Sequence, residues 1–389
     1  MKIALAQLNF TVGDIKSNTE KIIRAIDNAK SQGADLVAFA EFAVSGTPAY
    51  GLLTKTTFLE LCEDAVERIA KKCRGIAAIV GTPYLTAEGP ISAAAYISKR
   101  GEIEYIGKRY VTARREMGFL NPAKGFECVT IAGRKCVVVV GDDIRRMSEL
   151  DHSAEMIISI NSRKYSKGIM NYRLEVLKNI AFVEGKDIVL INQVGGSTEI
   201  VYDGTSGVVN RKGEPVLLLK SFEEDFAIYD TEVEHPVIGL PESMNRTSLV
   251  YRAACMGLKD YYHKNGYQKA CVGLSGGIDS AVVACMAVEA LGKENVHALL
   301  MPSPFSPDMS VEDAKALAEG LGISYNVIPI SAIYNSVLDT LKPVIGGTEF
   351  DFTEENIQTR IRTVLLMALQ NKTGYMLLNS SNKSENALG

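Results

Sequence analysis

The chain has 389 residues, of which 47% are hydrophobic and 23% charged, with a formal net charge of -4. That length asks for two domains rather than one core, and a slightly acidic balance without a polybasic tract excludes nucleic acid as the leading class of partner. Apolar runs such as VVVVG and AAIVG fall far short of the roughly 18 residues of a membrane span, and Met1 leads into strand-like KIALAQL without a leader pattern. The expectation is a cytoplasmic chain that engages no membrane.

Seven cysteines (Cys62, Cys73, Cys128, Cys136, Cys255, Cys271 and Cys285) are odd in number and lack CxxC spacing. They read as reduced thiols, mostly in the core, rather than as a disulfide framework or a zinc site. Four isolated histidines argue against a metal centre built on imidazoles, and no Ser-His-Asp arrangement is present.

Strand-like KIALAQL is followed by a helix through NTEKIIRAIDNAKSQG, with Ile22, Ile23 and Ile26 at helical spacing and Gly33 at its C-terminal end. The strand ADLVAFAE, the helix FLELCEDAVERIAKKCRG and the strand AAIVGTPY come next. Two hairpins follow, turning at Arg100-Gly101 and at Gly133-Arg134. The second ends in VVVVGDD: four valines suit a strand buried on both faces, and Gly141, Asp142 and Asp143 mark the end where such strands present their chemistry. A helix over about 166–184, the strand DIVLINQVG and strands near EIVYDG and GEPVLLL complete the first half. Mixed strands with a few long helices imply an α/β layered sandwich.

The proline-punctuated stretch around 233–246 is the candidate linker between a first domain, 1–232, and a second, 247–389. Beyond it strands and helices alternate strictly, which implies a parallel sheet with ligands at its carboxyl ends. The sharpest motif is GLSGGIDS, between a strand and a helix. Paired glycines admit a ligand close to the backbone, and the helix N-terminus favours an anion, phosphate above all. No lysine lies in the loop, so this is not a common P-loop. The bare carboxylate of Asp279 fits such a cradle if a Mg²⁺ ion bridges it to phosphate.

LSGGIDS resembles the pyrophosphate loop of the ATP-pyrophosphatase family, and MPSPFSPDMSVEDA, EENIQTRIRTVLLMALQNKTG and LLNSSNKSE resemble its NAD⁺ synthetase branch. In the first half KIALAQLNFTVGDIKSNTEKI, GADLVAFAEFAVSG and INQVGGSTEIVYDGTSGVV resemble the nitrilase-type glutaminase domain of glutamine-dependent NAD⁺ synthetases. The resemblance implies a nitrilase-like α-β-β-α sandwich joined to a parallel-sheet ATP-pyrophosphatase domain. It implies a ligase that adenylates nicotinic acid adenine dinucleotide with ATP and Mg²⁺ and then displaces AMP with ammonia. It assigns Gly273, Leu274, Ser275, Gly276, Gly277, Ile278, Asp279, Ser280 and Ser380 to ATP, Asp279 and Glu385 to Mg²⁺ or the substrate beside it, and Asn356 and Arg360 to the acid dinucleotide. Asn356 and Arg360 are four apart and share one helix face; Arg362 is left without a role. A homo-oligomer is expected by the same resemblance.

A nitrilase-type glutaminase resembles a Glu-Lys-Cys arrangement, in which cysteine attacks the amide, glutamate takes its proton and lysine steadies the oxyanion. Glu41 in FAEFAVSG matches the base, Lys108 in IGKRYV the lysine, and Glu116 in REMGFLNP a second glutamate. The nucleophile falls in the family's CED, and here the chain reads GDD, with Gly141 in the cysteine's place. Cys136 lies roughly 17 Å back along the strand at ordinary rise, and Cys128 on the preceding strand is no closer. INSRKYSKGIM puts Arg163 and Ile169 where a serine and a lysine would hold glutamine. An inactive glutaminase is expected. The chain stops at SSNKSENALG, where the family continues with further ATP and substrate contacts, so the synthetase domain reads as incomplete. Two readings stand: a synthetase fed by free ammonia, or a noncatalytic relative that binds nucleotides or serves as a scaffold.

Overall fold

Uninterrupted apolar strands need cover on both faces, and the first half of the chain supplies it with layers. The computed structural model describes residues 1–112, 116–123, 128–146, 153–239, 245–345, 349 and 351–388. It divides into two units, Met1–Gly257 and Leu258–Gly389.

In the first unit the elements run β1 (Lys2–Gln7), α1 (Ile15–Ser31), β2 (Leu36–Phe39), α2 (Thr56–Ala70), β3 (Ala77–Thr86), β4 (Gly89–Ile97), β5 (Ile103–Gly107), β6 (Cys128–Ile131), β7 (Arg134–Val140), β8 (Met156–Asn161), α3 (Ile169–Glu184), β9 (Asp187–Asn192), β10 (Val194–Ser197), β11 (Ile200–Asp203), β12 (Gly207–Val209), β13 (Pro215–Leu218) and β14 (Asp225–Asp230). Two six-stranded sheets form, in the orders β14-β1-β2-β3-β4-β5 and β13-β12-β9-β8-β7-β6, and β10 pairs with β11 alone.

The valine run shows how the layers arise. Val138 and Val140 join Ile3, Leu36 and Ile79 in the core between the sheets, while Val137 and Val139 pack with Leu177 and Ala181 of α3. Successive side chains point to opposite faces, so a strand with a sheet on one side and a helix on the other is apolar throughout. On the far side α1 and α2 bury Ile22, Ile26, Val66 and Ile69 against Val37 and Phe39. This is the α-β-β-α sandwich expected. β8, β10, β12 and β14 are strands that the sequence patterning did not single out.

Helix α4 (Arg246–Lys264) begins in the first unit and ends in the second. There follow β15 (Ala270–Leu274), α5 (Ile278–Leu291), β16 (Val296–Leu300), α6 (Asp308–Leu321), β17 (Ser324–Val327), α7 (Ser331–Ile345), α8 (Phe352–Thr373), β18 (Met376–Leu378) and α9 (Lys383–Leu388). The strands form one parallel sheet in the order β17-β16-β15-β18. Val272, Leu274, Ala298 and Leu300 pack against Ala284 and Ala287 of α5 and Ala314 and Ala318 of α6; Leu299 and Met301 pack against Tyr334 of α7 and Ile361 of α8. Both faces are covered, as a parallel sheet requires. No helix among the described residues is long and apolar enough to cross a membrane.

Candidate active site

In the first unit several strand ends converge on a cavity of about 620 Å³ whose lining includes Glu41, Lys108, Glu116, Gly141, Asp142 and Arg163. Glu41 follows β2, Lys108 follows β5, Gly141 follows β7 and Ser162 follows β8. The parallel pairing of β7 with β8 aligns Val140 with Ile160, so the ends after them emerge together. The Glu41 N-H donates to the Asn161 carbonyl at 3.3 Å, tying the end of one sheet to the end of the other.

Glu41 is 2% exposed and Lys108 4%. Glu41 Oε1 accepts from Ser92 Oγ at 2.8 Å and from Lys108 Nζ at 3.1 Å, and its Oε2 accepts from Ser162 N at 3.2 Å and Ser162 Oγ at 2.8 Å. Four donors hold this carboxylate in a fixed orientation. Lys108 Nζ also donates to Glu116 Oε2 at 2.9 Å. Burial works against the Lys108 ammonium, but Glu41 and Glu116 outweigh it and hold the group above its ordinary range. Burial and the charge of Glu41 push the Glu116 carboxyl up, against the opposing pull of Lys108. The structure thus brings Glu41, Lys108 and Glu116 into one buried cluster.

Gly141 opens a 3-10 turn, Gly141–Arg145, at the end of β7 and has φ of +61°, which L side chains rarely adopt. A Cβ placed on it would lie 2.8 Å from Lys108 Cε and Nζ and 3.3 Å from Glu41 Oε1. The position faces the cluster, and the end of the Lys108 side chain stands in the space that a side chain at 141 would need. Neither Cys128 nor Cys136 lines the cavity. Cys136 is fully buried at the register position of Met156, and burial pushes its thiol up to about 12.

Three contributors were given no role by sequence reasoning. Ser92 and Ser162 are the hydroxyls that fix Glu41; a lone serine in the apolar run ISAAAY was the available signal for the first. Asp143, 1% exposed, accepts the backbone N-H groups of Arg109 at 2.7 Å and Tyr110 at 2.9 Å, anchoring the segment that carries Lys108. Burial pushes its carboxyl up to about 6, against the two N-H groups that favour the anion. Asp142 accepts from Arg163, so this guanidinium is committed within the protein, and Ile169 adds an apolar wall.

In the second unit the β15–α5 connection forms a cradle. Ser275 Oγ accepts from Gly277 N at 3.2 Å and contacts Ser280 Oγ at 3.2 Å, while Ser280 Oγ donates to the Gly277 carbonyl at 3.0 Å. Gly276 has φ of +80°, and a Cβ there would meet the Ser310 carbonyl oxygen at 2.4 Å, so only glycine fits. Gly277 caps α5 without a side-chain hydrogen bond, and Ser275 through Asp279 are exposed. Backbone donors at a helix N-terminus therefore face outward from the carboxyl end of the sheet. Ser380 follows β18 and is half-buried. Glu385 Oε2 accepts from Asn382 N at 3.0 Å, and Asn382 Oδ1 accepts from Glu385 N at 3.0 Å, a reciprocal cap on α9. No cluster of three metal-ligating side chains occurs among the described residues. Arg360 is exposed and donates to Asn356 Oδ1 at 3.0 Å. Arg362 turns the other way, toward the sheet, with its Nε donating to the Met301 carbonyl at 3.0 Å.

The two units match two families. Residues 2–235 match the carbon-nitrogen hydrolases and residues 250–389 the NAD synthases. The protein is therefore a two-domain ligase, a hydrolase-type sandwich joined to an NAD synthase domain. It is 35% identical to the glutamine-dependent NAD⁺ synthetase of Aquifex aeolicus and 36% identical to that of Synechocystis sp., each comparison covering 100% of this chain and 76% and 75% of the relative. The structure of the glutamine-dependent NAD⁺ synthetase of Acinetobacter baumannii in complex with ADP superposes with a TM-score of 0.94 at 32% identity, covering 100% of this chain and 76% of that one. An amidase from Nesterenkonia sp., at 22% identity and a TM-score of 0.54 over 59% of this chain and 89% of its own, shares the fold alone. The chain belongs to the glutamine-dependent NAD⁺ synthetases.

Proposed function

We propose that this NAD⁺ synthetase amidates nicotinic acid adenine dinucleotide with free ammonia, its own glutamine-hydrolysing site being inactive. The observation that carries the proposal is Gly141: the strand end facing Glu41 and Lys108 has no side chain, and Lys108 reaches into the space. Without a thiol no thioester forms on this chain.

In the second unit the carboxylate of the acid dinucleotide is a poor electrophile and needs activation. Its oxygen attacks the α-phosphorus of ATP, the bond to the β-phosphate oxygen breaks, and pyrophosphate leaves. Ammonia then forms a C-N bond at the activated carbonyl, AMP departs with the oxygen, and the amide nitrogen loses a proton to solvent. The residues' work is positioning and neutralisation of charge. The open N-terminus of α5 and the Ser275–Ser280 cradle suit the pyrophosphate, with Ser380 at the neighbouring strand end, and Asn356 and Arg360 suit the dinucleotide. Mg²⁺ needs only one or two protein carboxylates when phosphate oxygens complete its shell. Asp279, exposed in the first turn of α5 and without a hydrogen bond among the described residues, fits that requirement. Glu385 is the second carboxylate proposed, its Oε1 remaining beside the capping Oε2. Bound there, the ion would offset triphosphate charge.

The test is steady-state NAD⁺ formation by the whole protein with ammonium or glutamine as donor. Ammonium is expected to support turnover and glutamine to support none beyond its contaminating ammonia. Turnover with glutamine equal to that with ammonium, together with a thioester trapped on this chain, overturns the proposal.

A further inference from the structure

Helix α8 carries two arginines that differ in environment. Arg360 is exposed and bonded to Asn356 on its own helix. Arg362, two residues on, is half-buried and faces the sheet. Its Nε donates to the carbonyl of Met301, the residue that follows β16. Leu366, one turn further along α8, lies against Gly273, as does Met301: a Cβ on Gly273 would meet Leu366 Cδ1 and Met301 Cε, each at 3.4 Å. Arg362 is thus held at the carboxyl edge of the parallel sheet, beside the strand that opens into the Ser275–Ser280 cradle. No carboxylate pairs with it among the described residues, and its two Nη groups have no partner there. Burial alone lowers its guanidinium from the ordinary arginine range, with no nearby acid to offset that loss.

A half-buried arginine is stable when an anion shares its site. Fixing Nε on a carbonyl orients the planar fork and leaves both Nη groups to make paired hydrogen bonds, a geometry that matches phosphate oxygens. We infer that Arg362 binds a phosphoryl oxygen of a substrate at this edge of the sheet. The inference rests on the reading that this sheet binds ATP and the acid dinucleotide. Triphosphate and dinucleotide pyrophosphate share the chemistry.

The test measures binding of Mg-ATP, inorganic pyrophosphate and the acid dinucleotide separately to the whole protein by calorimetry, with thermal melting alongside, for the wild type, R362Q and R362K. R362Q is expected to weaken at least one ligand by about tenfold or more, the loss of a charge-assisted contact, with the melting temperature nearly unchanged. Loss for ATP and pyrophosphate assigns the contact to the triphosphate; loss for the dinucleotide alone assigns it to that substrate. R362K keeps the charge, but one ammonium cannot hold the Met301 carbonyl and present a planar fork, so affinity is expected to fall there too. This variant decides the matter if R362Q does not fold. Unchanged affinities in variants that melt earlier would mean that Arg362 only staples α8 to β16, which overturns the inference. A wild-type protein that binds none of the three defeats the reading of the nucleotide site itself, and this inference with it.

Discussion

Gly141→Cys places a thiol at the end of β7, and the structure sets the consequences. Ordinary contact begins at 3.4 Å, so a Cβ at 2.8 Å from Lys108 Cε and Nζ demands that the end of that side chain retreat by about 0.6 Å. The tip of the Lys108 side chain can shift, and its bonds to Glu41 at 3.1 Å and Glu116 at 2.9 Å must readjust with it. The larger cost is backbone: an L side chain at φ of +61° destabilises by about 1–2 kcal/mol. The variant should fold. Its thiol would stand next to the buried Lys108 ammonium, a neighbour that lowers a thiol pKa and raises reactivity. Cys136, whose thiol is pushed up to about 12, is the internal contrast. Alkylation with iodoacetamide, followed by peptide mass spectrometry, is expected to label position 141 well ahead of the buried cysteines. Glutamine turnover should remain roughly 100-fold or more below that of a competent site, because Arg163 is tied to Asp142 and Ile169 presents only an apolar wall. Ammonia release at a competent rate from this one substitution would refute the argument that the pocket has lost its hold on glutamine.

Asp143→Asn tests a titration. The carboxyl rises from 3.8 to about 6 in the folded protein, so its contribution to stability is fully present below 3.8 and is lost as the pH climbs through about 6. The stability of the wild type minus that of the variant should therefore fall by about 3 kcal/mol across that window, and a flat difference in urea titrations would show that Asp143 does not titrate there. Asp279→Asn should weaken Mg-ATP by on the order of tenfold and leave stability within about 0.5 kcal/mol, since the side chain is exposed at the start of α5. Unchanged affinity in a binding-competent protein would remove Asp279 from the metal.

The layers of the first unit were legible because buried strands and amphipathic helices write their cover into apolar spacing: VVVVG and the Ile22-Ile26 stripe needed nothing further. β10, with the sequence VGGS, and the three-residue β12 carry too little side-chain pattern to read. The Glu41-Lys108-Gly141 cluster was legible by resemblance, whereas the role of Ser162 was not. Its hydroxyl reaches Glu41 only because one strand end from each sheet meets there, a contact across 121 positions of sequence. Arg362 was legible in principle. Gln358 and Leu366, each one turn away, are buried or packed on the same face, so a stripe drawn through 358, 362 and 366 already turns Arg362 inward.

The grouping of Glu41, Lys108 and Glu116 beside Gly141 has an electrostatic side that requires no amidase chemistry. Lys108 is buried between two carboxylates, Glu41 and Glu116, which together compensate its charge. Taking Lys108 away would leave two neighbouring carboxylates without their cation, a loss of roughly 3–5 kcal/mol. Gly141 differs in kind. It carries no charge, its φ of +61° favours glycine, and its loss of a side chain leaves no polar group unpaired, because the Lys108 side chain fills the adjacent space while still bonded to Glu41 and Glu116. Position 141 can thus change with little effect on the fold, whereas Lys108 cannot. By itself, the presence of Glu41, Lys108 and Glu116 is therefore no measure of activity.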